Sequence, residues 1–151
     1  MVQHRSRGGN AVRAFPADRF RARSCRLSRR ARQGHYADRE LAYAYLKTNE
    51  LDKALEHAKI EYARRPDNID VNETMAWVLY KRGEFAEAQK YMTVARRTGS
   101  QNPVLLCRAG LILSKLGKKA EGQVLIEKSL KTAPYLNAEV EAEGKKLLAA
   151  R

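Results

Sequence analysis

The residues that could do chemistry in this chain are three histidines, two cysteines and a scatter of acids, and their spacing argues against most of it. His4, His35 and His57 stand at no ligand spacing, and Cys25 and Cys107 have no second Cys or His nearby to complete a zinc set. No Gly-x-Ser-x-Gly elbow occurs. Gly110 and the run Gly117-Lys118-Lys119 carry the residue types of a phosphate loop, but the spacing is wrong and no Ser or Thr follows the lysine. The acid pairs Glu50/Asp52 and Glu84/Glu87 sit where helices would begin, a position negative charge favours without any catalytic role. The sequence therefore predicts no enzyme, no metal and no cofactor. What remains is recognition chemistry. Arg39, Tyr43 and Lys47 lie at i, i+4 and i+8, so on a helix they share one face; Glu73, Trp77 and Lys81 repeat that spacing, as do Cys107, Leu111 and Lys115.

Those three stripes are offset by 34 residues, and so is much else. Leu41-Ala42, Met75-Ala76 and Ala109-Gly110 pair an apolar residue with a small one in the same phase. Tyr45, Leu79 and Leu113 follow, then the turn residues Asn49, Gly83 and Gly117, the small residues Ala54, Ala88 and Gly122, and the closing marks Pro66, Ser100 and Pro134. A period of this length predicts a helical hairpin stacked on copies of itself. The second helix of the first unit is expected from about Leu51 to Arg64, presenting Leu51, Ala54, Leu55, Ala58 and Tyr62 on one face. Asn49 tolerates the left-handed conformation that Gly83 and Gly117 provide. The small residues let paired helices approach closely, so enlarging one should overpack the contact by roughly 1–3 kcal/mol.

A large-apolar then small residue, a large residue three later, a Gly-like turn, an Ala and a closing Pro resemble the tetratricopeptide repeat (TPR). Trp77, Leu79, Gly83, Phe85, Ala88 and Met92 give the best-formed unit. The resemblance covers 35–136 as three repeats (35–68, 69–102 and 103–136), with 137–151 similar to the terminal capping helix. Lys119 and Ser100 depart from the pattern, at positions where an apolar residue and a Pro are usual. The stretches PDNIDVNETMAWVLYKRGEFAEAQ and RTGSQNPVLLCRAG also look like bacterial TPR proteins of longer array. The resemblance implies an all-α, right-handed α-hairpin solenoid whose first helices line a concave groove. It implies a non-catalytic scaffold that binds a protein or peptide segment there. The groove residues would be Tyr36, Arg39, Tyr43 and Lys47 from the first repeat, Thr74, Trp77, Tyr80 and Lys81 from the second, and Arg108, Leu111 and Lys115 from the third. Two plainer readings stand beside this one. Lysines in a last helical turn complement the dipole whether or not anything binds, and Trp77 could serve packing between repeats. Some TPR modules grip a C-terminal carboxylate with basic residues and two asparagines. The matching positions here are Arg39, Tyr43, Thr74, Val104 and Arg108, which keep two basic residues and neither asparagine.

For the capping helix, Asn137 is a capping residue and Val140, Gly144, Leu147 and Leu148 share a face, with Glu139, Glu141 and Glu143 early and Lys145 and Lys146 late. The amino-terminal end of the array has no such cover, which leaves self-association through it as a further expectation, as in a fragment of a longer array.

The net charge is +13 for 151 residues, and it is unevenly placed. Residues 1–34 hold ten Arg, no Lys and one acid, Asp18, whereas the remainder holds twenty basic and sixteen acidic residues. This Arg-rich leader has few apolar anchors and is expected to be disordered or marginally helical. It admits three readings: a nucleic-acid-binding arm, a mitochondrial-type targeting segment, or a non-native or mis-started leader, since no Lys there contrasts with twelve downstream. No apolar run approaches a membrane span, so no membrane partner is expected, and the cysteine usage suits a reducing, cytoplasmic setting.

Overall fold

The computed structural model describes residues 37–133 and 136–150. Tyr36, the Arg-rich leader and every reading attached to it lie outside the described residues. Those described form seven helices and no strand: α1 (Asp38–Lys47), α2 (Leu51–Arg64), α3 (Ile69–Arg82), α4 (Phe85–Ala95), α5 (Pro103–Lys115), α6 (Lys119–Thr132) and α7 (Ala138–Ala149).

Local rules explain where these helices start and stop. Asn68 caps α3, its side-chain oxygen accepting from the Val71 amide at 3.1 Å. Asn102 does the same for α5, with the Val104 amide at 2.9 Å and Pro103 in the first turn, where its missing N–H costs nothing. The two caps are one period apart; the cap of α7, Asn137, comes one residue late. Each hairpin turns through a left-handed residue, Asn49 (φ 59°), Gly83 (φ 86°) or Gly117 (φ 87°). The following amide closes the same bond each time: Glu50 to the Tyr45 carbonyl at 2.9 Å, Glu84 to Leu79 at 2.9 Å and Lys118 to Leu113 at 3.0 Å.

Packing follows the period. Each helix meets its hairpin partner most extensively (α1 with α2, α3 with α4, α5 with α6), successive hairpins stack, and α7 lies on α5 and α6. The small residues sit at the crossings: Ala42, Ala54, Ala76 and Ala88 are fully buried. The third crossing is tighter, because Gly110 and Gly122 face one another. A Cβ on Gly110 would lie 2.6 Å from the Gly122 carbonyl oxygen, so the two backbones are nearly in contact. Met75, Val78, Met92, Ile112 and Ile126 fill the core between layers, and Tyr62 meets Tyr91 edge-on at 5.2 Å where the first and second hairpins join. The result is an α-hairpin solenoid with a helix closing its carboxyl end.

Two helices break the usual amphipathic rule. Val71 to Tyr80 of α3 and Leu105 to Ser114 of α5 are buried without interruption. A helix buried on every residue over nearly three turns is covered on all sides, including the side a concave groove would leave open. No described helix is long and apolar enough to cross a membrane.

Candidate interaction site on the first-helix wall

The first helices, α1, α3 and α5, stand side by side, and the stripe residues converge on one wall. At its centre is Arg108 of α5, 6% exposed. Its guanidinium donates to the Tyr43 hydroxyl at 2.9 Å and to the Glu73 carboxylate at 2.8 Å, and stacks 4.7 Å above the Trp77 ring. A charge this deep is tolerable because the opposite charge and a ring face replace water. Its Nε, however, is buried with no hydrogen-bond partner. Tyr43 also lies under Arg39 at 5.8 Å, and Arg39 Nε donates to the Thr74 hydroxyl at 3.3 Å. Thr74 in turn donates to the Asp70 carbonyl of its own helix at 2.8 Å.

At the carboxyl end of the wall, α7 supplies the partners. Lys81 lies 4.8 Å from the centre of the Trp77 ring and is ion-paired with Glu139 at 2.6 Å and with Glu143. Tyr80 stacks on Trp77 at 4.9 Å and donates its hydroxyl to Glu143 at 3.1 Å. Burial, together with the Glu143 charge, pushes the Tyr80 phenol well above its ordinary range. For Lys81 burial works against the charge, but the hydrogen bonds its ammonium donates to Glu139 and Glu143 outweigh that, and it titrates above its usual value. Burial likewise raises the Cys107 thiol, which argues against a reactive thiolate.

Arg39, Tyr43, Thr74, Trp77, Tyr80, Lys81 and Arg108 thus contact one another, but part of this cluster is not open. Thr74, Trp77, Tyr80, Arg108 and Leu111, expected to line an open groove, are buried, Trp77 at 2% exposure. The physical reason is twofold: side chains two hairpins apart reach each other, as Arg108 reaches Tyr43, and α7 brings its acids onto Lys81. Trp77 therefore follows the plainer packing reading. Arg39, Tyr43 and Lys81 are half-buried, and Lys47 and Lys115 are exposed, Lys115 lying 6.0 Å above the Phe85 ring. The lysine column is split accordingly, with its middle member engaged by α7. Sequence reasoning missed Glu139 and Glu143 as members of the site, having assigned them to the helix dipole. Their one-turn spacing was the available signal.

No protein-family model matches the chain, and no curated protein matches it. Among solved structures, MamA MSR-1 C2 is similar over 91% of this chain and 87% of that one, with a TM-score of 0.57 and 18% identity. The N-terminal domain of stress-induced protein-1 (STI-1) from C. elegans is similar over 74% of this chain and 91% of that one, with a TM-score of 0.47 and 23% identity. The chain has a TPR-type fold.

This fold sets the first helices of its hairpins, α1, α3 and α5, side by side. Within it, the wall described above is where polar and aromatic groups are concentrated. Its amino-terminal half, around Arg39, Tyr43 and Lys47, is contacted by solvent. Its carboxyl-terminal half is covered by the chain's own α7.

Proposed function

We propose that the protein is a non-catalytic interaction module that holds a peptide segment of a partner protein along the wall formed by α1, α3 and α5. The observation that carries this reading is the polar and aromatic cluster around Arg108, a buried guanidinium that donates to Tyr43 and Glu73 and stacks on the Trp77 ring. Tyr43 and the half-buried Arg39 flank it, and residues of these types usually dominate interface energetics. The fold-level role of this architecture supports the same conclusion.

The test is affinity capture from a lysate with the full chain and with an Arg39→Ala/Lys47→Ala variant. Both side chains lie outside the core, so helicity should be unchanged. Retention of the captured proteins should fall by about three- to tenfold, the effect of two interface charges. A variant that retains the same proteins at the same level would remove the wall from the account.

A further inference from the structure

The covered half of the wall shows what kind of segment fits it, because a helix is already seated there. α7 places Glu139 and Glu143, one turn apart, on the Lys81 ammonium, and Glu143 also takes the Tyr80 hydroxyl. Beside these two acids, one residue on from each, runs the apolar line of the helix. Val140 is buried, and its carbonyl faces the Cys107 thiol at 3.6 Å. Gly144 sits in a notch in which a Cβ would meet the Cys107 sulfur at 3.0 Å and an Ile126 methyl at 3.1 Å. The seat therefore selects for two carboxylates at helical spacing, a small residue directly after the second, and a modest apolar face.

α7 joins α5 and α6 less extensively than hairpin partners join each other, about as extensively as the second and third hairpins stack, and its Glu139 side chain remains 48% exposed although paired. Nor does α7 use the whole stripe. Its acids meet Lys81, while the half-buried Arg39, farther along the wall, is met by none of them. An acidic helix offering further carboxylates would gain contacts that α7 lacks.

We infer that this seat is a binding site for an acidic amphipathic helix of a partner protein, and that α7 is its internal occupant, displaced when the partner binds. The inference rests on the proposed role of the wall and adds the ligand's chemistry and the competition. A tethered helix acts at about millimolar effective concentration, so it masks the seat until it is weakened or outcompeted.

The probe is a labelled synthetic peptide copying residues 136–150, offered to the full chain and to two full-length variants that loosen α7 by different means. Gly144→Leu fills the notch over Cys107 and Ile126, whereas Glu139→Lys/Glu143→Lys reverses the charge facing Lys81 on half-exposed side chains and leaves the core intact. Trp77 is the only tryptophan, so its emission reports whether the seat has opened. Both variants should show red-shifted emission and bind the peptide about tenfold more tightly than the unaltered chain, with most of that gain lost for a peptide carrying Gln in place of both glutamates. Variants that bind the Gln peptide as tightly as the acidic one would overturn the inference while leaving a peptide-binding wall. Variants with shifted emission that bind neither peptide would overturn both. Unshifted emission without capture, in both variants, would make α7 a permanent part of the fold and overturn the inference. A dimer of the unaltered chain in sedimentation, with α7 exchanged, would assign the seat to a second copy and equally overturn it.

Discussion

Gly122→Ala is the substitution whose cost follows most directly from the structure. Taken alone, helix propensity favours the change by about 1 kcal/mol, since glycine is the weaker helix former. Packing opposes it. The new Cβ would lie 2.5 Å from the Gly110 carbonyl oxygen, 3.0 Å from the Ser114 amide nitrogen and 2.2 Å from the Ser114 hydroxyl. The hydroxyl can rotate away only by giving up its bond to the Gly110 carbonyl, now 2.9 Å. The backbone oxygen cannot rotate, and a comfortable carbon–oxygen separation is about 3.3 Å. Thus α5 and α6 must part by several tenths of an ångström along their crossing, which puts the overpacking cost near the upper end of its range, about 3 kcal/mol. The net is a loss of about 2 kcal/mol, or about 4–8 °C in Tm for a chain of this size. Thermal and urea unfolding followed by helical circular dichroism would measure it. Adding Gly110→Ala should cost less than the two single changes summed, because helices already parted accept the second methyl. A Gly122→Ala variant as stable as the unaltered chain would refute the close-approach reasoning, and with it the account of why the third repeat carries glycine where the others carry alanine.

Two further expectations concern the wall. Glu73→Ala removes the carboxylate from a buried Arg108 and should cost about 3–5 kcal/mol in urea unfolding, more than Glu73→Gln, which keeps an acceptor; a loss below about 1 kcal/mol in both variants would show that the pair is not electrostatically coupled. Stability should also fall on the alkaline side. Tyr80, Lys81 and Cys107 all hold their protons more tightly in the folded chain than their ordinary values of 10.0, 10.5 and 9.0. Their contribution is complete below about pH 9 and is lost as the pH climbs through and beyond those values, because the unfolded chain releases protons that the folded one keeps. Tyr80→Phe should blunt the fall; a urea midpoint unchanged between about pH 8 and 11 would contradict these assignments.

Much of the architecture was legible because it is written in short-range rules. Asn49, Gly83 and Gly117 announce left-handed turns by their own conformational freedom, and the structure gives each a positive φ. The expected helix from Leu51 to Arg64 is α2, end for end. The apolar face foreseen for the last helix is there too, Val140 and Gly144 buried and Leu147 and Leu148 half-buried. Arg39, Tyr43, Trp77 and Lys81 fall on one wall because i, i+4 spacing and a fixed repeat leave them no other place, and Arg108 joins them from the position beside the stripe.

The fate of that wall was not legible. Whether Trp77 faces solvent or another side chain depends on how sharply successive hairpins turn, which no residue encodes locally. Arg108 meets Tyr43 across two hairpins, and Lys81 meets Glu143 across 62 positions of sequence. Such contacts are decided by the sum of many small packing angles. The sequence alone therefore determined the repeat, its turns and the make-up of its inner stripe, since those follow from backbone preference and periodicity. Only the tertiary structure decided which part of that stripe is closed, because burial of a side chain depends on everything that comes to lie over it.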